Sequence, residues 1–293
     1  GRVEVEKEDF DGDGREELLV EGEKQNLYVH LARGGSLFEW DLRPQAHNLL
    51  STVTRRPEAY HFLLEAKPGG EAKEGAAPES TEGEVETIHA GIRVKDNALP
   101  PQLSYDWYQR GALIDHFLGP GVAREEFARC QYEEVGDFVD QPYQVRMEER
   151  EGALLIGLRR EGQVSCNGRW LPLTVEKELG GAGRELRVRY RLTNLGTERA
   201  EGRFGSEWNL NLLGGGHNPQ AFFDFPAQPQ LPLDSAGEVP SLERLALVNR
   251  GLGVRLSVEL APAAQLWFFP IETVSDSEGG LERVYQATCL LFI

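Results

Sequence analysis

Apolar and polar residues alternate with period two along much of the chain. Leu186, Val188, Tyr190 and Leu192 alternate with Arg187, Arg189 and Arg191, and Val254, Leu256, Val258 and Leu260 alternate with Arg255, Ser257 and Glu259. Successive side chains of a strand point to opposite faces, so each run predicts a strand with one face buried and the other in water. Similar runs at Leu27 to Leu31, Leu37 to Leu42, Leu173 to Leu179 and Phe204 to Leu212 predict further strands, with turn residues at Glu151-Gly152, Glu161-Gly162, Gly180-Gly181 and Asn194-Leu195-Gly196 between several of them. Helical signal is confined to two places. His47 to Arg56 predicts two or three turns stopped by Pro57, and Arg110 to Leu118 fits either a short helix or a strand. Strands and helices do not alternate, so a doubly wound sheet is not expected, and the chain reads as an all-β antiparallel protein.

The stretch Lys67 to Thr87 is rich in Gly, Glu, Ala and Pro and almost free of large apolar groups. Such a segment cannot offset its ordering entropy by burial, and it is expected to be a long flexible surface insertion. If it were instead a seam, the preceding piece would be marginal as an independent fold. One β domain over residues 1–293 is the simpler expectation.

The chain has 293 residues, of which 40% are hydrophobic, enough for a sizeable core. With 48 acidic against 31 basic residues the net charge is −17, a field that repels phosphate backbones and anionic lipid headgroups, so neither nucleic acid nor membrane is an expected partner. No uncharged apolar run approaches the length of a bilayer span. Cys130, Cys166 and Cys289 are odd in number, far apart and without a C-x-x-C pair, which fits a reducing compartment and a provisional cytoplasmic location. The chain begins at Gly1 with a strand-like acidic segment, so the lack of a targeting signal carries no weight.

Near the N-terminus, Asp9, Asp11, Asp13 and Glu17 occupy positions 1, 3, 5 and 9 of a loop, with Gly14 at position 6 and the Arg15 carbonyl available at 7. A calcium ion takes six to eight oxygens, and this spacing lets a short loop supply them while glycine permits the tight turn. Position 12 is Val20 and not a bidentate glutamate, so the loop is not a complete EF-hand. Asp and Gly are also ordinary turn residues. Calcium in a structural role is nevertheless the expectation, because three clustered carboxylates without a cation repel one another.

Two further stretches carry candidate binding chemistry. In Phe204 to Leu212 one strand face would display Glu207, Asn209 and Asn211, a carboxylate and two amides suited to sugar hydroxyls, which both donate and accept. The bland alternative is a solvated strand face. Tyr105 to Arg110 and Asp115-His116-Phe117 combine aromatic plates with charged partners, the pairing a pyranose ring needs, although Trp107 and Phe117 are equally suited to a core. The sequence contains no G-x-x-x-x-G-K-[ST], H-E-x-x-H, G-x-S-x-G or G-x-G-x-x-G opening a helix, which leaves nucleotide, zinc-protease and serine-hydrolase chemistry without support.

Five stretches together resemble the C-terminal domain of glycoside hydrolase family 57 enzymes of the α-amylase and 4-α-glucanotransferase type: Gly34 to Asp41, Asn48 through Arg55-Arg56-Pro57-Glu58-Ala59-Tyr60-His61, Asp106-Trp107 through Ile114-Asp115-His116-Phe117, Gly205-Ser206-Glu207-Trp208-Asn209, and Pro270 to Gly280. The resemblance spans nearly the whole chain. It implies a large antiparallel β-sandwich, or supersandwich, of galactose mutarotase-like fold. It also implies that the nucleophile and general acid of the parent enzyme lie in an N-terminal barrel, so that no residue of this chain is catalytic and the barrel is a partner.

The first expectation is therefore a noncatalytic domain that supports an α-1,4-glucan-processing barrel and holds malto-oligosaccharide. Arg56, His61, Trp107, His116, Glu207, Asn209 and Glu272 are the candidate carbohydrate contacts, and Asp9, Asp11, Asp13, Arg15 and Glu17 the candidate calcium ligands. A second reading is a mutarotase-like epimerase in which His61 or His116 and Glu207 form an acid–base pair. A third is a pure scaffold.

Overall fold

The computed structural model describes residues 3–61, 103–150, 153–277 and 280–293. The expected insertion at 67–87 and the turn at Glu151-Gly152 lie outside the described residues. In chain order the strands are β1 (Glu4–Glu8), β2 (Glu17–Glu21), β3 (Gln25–His30), β4 (Ser36–Leu42), β5 (His47–Asn48), β6 (Ala112–Leu118), β7 (Gln144–Arg150) and β8 (Ala153–Cys166). They continue with β9 (Arg169–Gly180), β10 (Arg187–Asn194), β11 (Arg203–Leu210), β12 (Ala221–Asp224), β13 (Leu231–Pro232), β14 (Gly237–Asn249), β15 (Val254–Ser277) and β16 (Gly280–Phe292). A twelve-stranded sheet runs β1-β2-β3-β4-β6-β11-β16-β15-β14-β12-β13 with β5 beside β4, and a four-stranded sheet runs β10-β9-β8-β7. The named strands pair antiparallel throughout. The all-β antiparallel sandwich is as expected, and so are the strands foreseen from alternation.

Two local expectations give way. His47 to Arg56 is not helical: a 3-10 turn at Arg43–Gln45 is followed by the short β5 and then extended chain. Asn48 determines this, because its side-chain oxygen accepts the backbone N–H of both Trp40 and Leu50 and so ties the segment to β4. Glu161-Gly162 is not a turn either, since both residues lie inside β8. Gly162 is required for close packing, because a Cβ there would stand 2.3 Å from an Asp137 carboxylate oxygen and 2.8 Å from the Phe138 ring. The hairpin between β8 and β9 closes instead at Asn167-Gly168, both with positive φ, the left-handed pair that a tight two-residue turn demands.

The small sheet covers only part of the large one. Its inward residues Ile156, Leu158, Val164, Leu173, Val175 and Leu179 join Leu18, Val29, Leu37, Phe117 and Leu290 of the large sheet in one core. The opposite face of the large sheet is also covered at its centre. There Leu118, Phe127, Trp267, Phe269, Ile271, Cys289 and Leu291 form a second apolar cluster beneath the 119–139 segment and its single helical turn, Arg124–Ala128. The central strand β6 is thus buried along its whole length, which explains its lack of alternation: a strand covered on both faces reads as an apolar run. Among the described residues no helix is long and apolar enough to cross a membrane.

Candidate functional site

Parity along β6 sends Asp115 inward and His116 outward, and parity along β11 sends Trp208 inward and Glu207 and Asn209 outward. Pairing of these two strands brings His116 and Glu207 together beneath the 105–111 segment. Glu207 is wholly buried. One of its carboxylate oxygens accepts Arg110 Nη1 at 2.6 Å and Asn209 Nδ2 at 2.7 Å, and the other accepts the Tyr108 hydroxyl at 2.6 Å and meets His116 Nε2 at 2.7 Å. The second imidazole nitrogen lies 3.0 Å from a Glu134 carboxylate oxygen and 3.0 Å from the Tyr132 hydroxyl. Arg110 continues the chain through Nη2 to Asp106 at 2.7 Å, and Asp106 grips Arg55 through both oxygens, the closest contact being 2.6 Å.

Every charge in this chain faces an opposite one, as buried charges must. Burial pushes the Glu207 carboxyl up, but the Arg110 guanidinium, then His116 and Tyr108, outweigh it and hold the group far below the usual carboxylate range. Burial pushes His116 down, yet the hydrogen bonds and charges of Glu134 and Glu207 reverse this and lift it to about 9. Asp106 is likewise pushed up by burial and brought below its ordinary value by Arg110 and Arg55. At neutral pH the centre of the chain is therefore His116⁺, Glu207⁻, Arg110⁺, Asp106⁻.

The chain ends at a cavity of about 380 Å³ that opens between the 53–61 segment, the 103–105 segment and the β15–β16 ladder. Arg56, His61 and Glu272 line it, so three of the expected contacts meet in one place. His61 has no free nitrogen there: Nε2 donates to the Val274 carbonyl at 3.0 Å, while Nδ1 accepts the Glu58 backbone N–H at 3.1 Å and faces the Tyr105 hydroxyl at 3.2 Å. Glu207, Asn209 and His116 do not line the cavity. They are buried with no exposed surface, which corrects the picture of Glu207 and Asn209 as members of an accessible polar row, while the third member, Asn211, is partly exposed and donates to the Ser51 carbonyl at 2.8 Å. Trp107 is 51% exposed and stands outside the cavity, edge-on to Tyr108 and tilted against Tyr132.

Sequence reasoning missed Arg55, Asp106 and Arg110 as the connecting residues. Asp106 and Arg110 are four apart without being helical, and the partner of Arg55 is 51 residues away. No local pattern reports that contact.

In the acidic loop, Gly14 N–H donates to Asp9, Asp13 N–H to Asp11 and Arg15 N–H to Asp13, at 2.9–3.1 Å. Asp9, Asp11 and Asp13 each place a carboxylate oxygen within 4.8 Å of the others, a donor set that fits a hard cation. Glu17 is turned to the buried side, where it accepts the Phe10 N–H at 3.0 Å and lies 3.4 Å from His30 Nδ1. It groups with Asp11 and His30 instead of with Asp9 and Asp13. Arg33 already pairs with Asp13 at 2.6 Å.

Residues 9–293 match the family model described as Alpha-amylase/4-alpha-glucanotransferase, C-terminal. The chain belongs to this family. It is 32% identical over 280 residues to a 4-alpha-glucanotransferase of Thermococcus litoralis, covering 95% of this chain and 37% of that protein. Alpha-amylase 1 of Dictyoglomus thermophilum is 31% identical over 285 residues, covering 97% of this chain and 38% of its own length. The crystal structure of the Thermococcus litoralis 4-alpha-glucanotransferase superimposes on 100% of this chain and 37% of its own, with a TM-score of 0.71 and 26% identity. A galactose mutarotase-like protein of Clostridium acetobutylicum aligns over 99% of this chain at a TM-score of 0.47 and 8% identity. The chain spans a little over a third of the length of the family relatives it matches.

Proposed function

We propose that this chain is the noncatalytic C-terminal domain of a glycoside hydrolase family 57 enzyme that processes α-1,4-glucan, that it supports an N-terminal catalytic barrel, and that its cavity holds malto-oligosaccharide. The observation that carries the binding reading is the charge balance of the cavity. Among the described residues its lining brings three guanidiniums, Arg55, Arg56 and Arg283, against the carboxylates of Glu58 and Glu272, with Asp106 directly behind Arg55. Balanced charges with Tyr60 and Tyr105 beside them suit a neutral polyhydroxyl ligand better than an ion, and the volume is that of a small-ligand site.

The acid–base reading is weaker. His61 has both ring nitrogens taken by backbone groups, and His116 meets Glu207 where neither has exposed surface. A general base must reach the proton it abstracts, directly or through one water.

Calcium at the acidic loop belongs to the same proposal. Asp9, Asp11 and Asp13 supply side-chain oxygens and the Arg15 carbonyl a fourth, while Glu17, expected as a ligand, stays with His30 outside this set; a bound cation replaces Arg33 as the counter-charge of Asp13. Calcium binding only the folded chain raises the melting temperature of metal-stripped protein, and an unchanged melting temperature removes this element. The cytoplasmic assignment is supported by three cysteines that are buried and free.

The test of the main reading is a proton NMR titration with maltoheptaose. Line broadening without new anomeric signals supports a noncatalytic glucan-binding domain. New signals indicate cleavage or transfer, faster anomer exchange favours the mutarotase reading, and silence leaves a scaffold.

A further inference from the structure

The arginine that the sequence pointed to in this cavity is Arg56, whose side chain is exposed and whose neighbours include no fixed partner among the described contacts. Arg55 beside it is placed quite differently. Its side chain is 10% exposed. Nε donates to Asp106, and the two protons of Nη2 go to Asp106 at 2.6 Å and to the Ala128 carbonyl at 2.9 Å. The Asp106 carboxylate also accepts the Arg55 backbone N–H at 2.8 Å. One edge of the guanidinium is therefore fully used and its plane fixed. The two N–H groups of Nη1 have no protein acceptor among the described residues, and the residue borders the cavity.

We infer that Arg55 Nη1 is the fixed donor of this cavity, that it binds adjacent oxygens of a neutral polyol such as an α-glucan, and that Asp106, Arg110 and Glu207 are the positioning residues that hold it; this rests on the cavity being the glucan site proposed above. A guanidinium already paired with a buried carboxylate keeps its directional donors but has little net field left to attract an anion. The chain of alternating charges behind Asp106 has the same effect at longer range: Asp106 is held ionised by Arg110, and Arg110 by Glu207. The arrangement thus selects hydroxyl over phosphate. Arg56, free to reorient, adds little to affinity, because a mobile side chain loses rotamer freedom for each bond it makes.

The experiment is an isothermal titration of the 293-residue chain with maltoheptaose and, separately, with inorganic phosphate. It compares the wild type with Arg55→Lys, Arg56→Ala and Asp106→Asn, each with its melting temperature. Arg55→Lys keeps the charge and loses the planar fork, so glucan affinity is expected to fall about tenfold. Arg56→Ala is expected to lower it by less than Arg55→Lys does, because an exposed side chain without a fixed partner loses rotamer freedom for each bond it makes. Asp106→Asn removes the compensating charge and is expected to gain salt-sensitive phosphate binding, a change that loosened packing alone does not produce. Wild-type protein that binds no maltoheptaose overturns the cavity reading and this inference together. Wild-type protein that binds it, with Arg55→Lys binding equally well or Arg56→Ala carrying the loss, overturns this inference alone. Phosphate displacing maltoheptaose from the wild type overturns the selection for neutral ligands. Should Asp106→Asn fail to fold, the Arg55→Lys and Arg56→Ala pair still decides.

Discussion

Two buried ionic systems start from neighbouring residues of β6 and diverge to opposite faces of the large sheet. Inward, Asp115 meets Lys177 of the small sheet at 2.9 Å, and the ammonium also donates to the carbonyls of Gly34 at 2.7 Å and Leu113 at 2.6 Å. Leu113 is the extra residue of a bulge opposite β11, with φ near +62°, and the bulge turns its carbonyl toward that ammonium. Outward, His116 begins a chain of charges that runs through Glu207 and ends at the cavity. In the inner pair the ammonium protons are matched by acceptors and the pair joins two sheets, while Asp115 Oδ1 is buried without a hydrogen-bond partner among the described residues. The outer chain is open at one end, where Arg55 keeps two donors. A buried charge that terminates in fixed partners acts as a pin, whereas one that terminates in an unmatched donor at a cavity is a candidate for recognition.

The largest expected effect comes from breaking the inner pair. Lys177→Met leaves the Asp115 carboxylate buried without its ammonium partner, with the Tyr143 hydroxyl still donating to it at 2.6 Å, and is expected to cost about 3–5 kcal/mol in urea denaturation. The double variant Lys177→Met/Asp115→Leu is expected to recover much of that loss, since it leaves no unpaired charge. A double variant as unstable as the single one breaks the view of the pair as a compensated pin.

The two systems also differ in the sign of their pH dependence. His116 is lifted to about 9 in the folded chain from an ordinary value of 6.5. Between these values the folded state holds the proton and the unfolded state does not, so this contribution, on the order of 3 kcal/mol, is complete below pH 6.5 and disappears as pH rises through 9. Lys177 runs the other way. Burial lowers its pKa and Asp115 only partly offsets this, so toward pH 10.5 the unfolded state binds more protons and the Lys177 contribution rises with pH. Stability measured from pH 6 to 9 is expected to fall in the wild type and to flatten in His116→Gln. A profile that is flat in both removes the assignment of His116 as a buried imidazolium.

Alternation made β3, β4, β9, β10, β11 and β15 legible, because a strand with one wet face carries period two. It failed for β6, where Asp115 and His116 each pair with a residue far along the chain and the remaining positions are apolar on both faces. The polar row at Glu207 and Asn209 was visible, but its burial was not: nothing in Phe204 to Leu212 records that the 105–111 segment covers it. Arg56, His61 and Glu272 were found through the resemblance and do share a cavity, whereas Arg55 was passed over because its role depends on Asp106. Gly162 was misread because a glycine that admits a neighbouring ring and a glycine that makes a turn are the same letter.

That last distinction gives a smaller test on the inner side alone. A methyl at residue 162 collides with Asp137 and with the Phe138 ring, which packs on Phe117 at a centroid distance of 5.1 Å. Gly162→Ala is therefore expected to cost about 1–3 kcal/mol. The His116 imidazole, on the far side of β6, is expected to keep its wild-type NMR titration. A shifted His116 titration means that the two faces are mechanically coupled through β6 and that the comparison between them is too sharp.

The smallest effect concerns Trp107, which sits over the outer chain but outside the cavity. Its indole touches Tyr108 at 4.8 Å between centroids, and Tyr108 donates to Glu207, so the ring shields the buried carboxylate without binding it. Trp107→Ala is expected to cost about 0.5–1.5 kcal/mol, the scale of an aromatic pair, and to leave maltoheptaose affinity unchanged, because a ring that does not line the cavity cannot stack on a sugar held there. Lost affinity with little lost stability gives the opposite result: the glucan then runs over the 105–111 segment, Trp107 is its platform as the sequence suggested, and Arg55 marks the edge of the site instead of its centre.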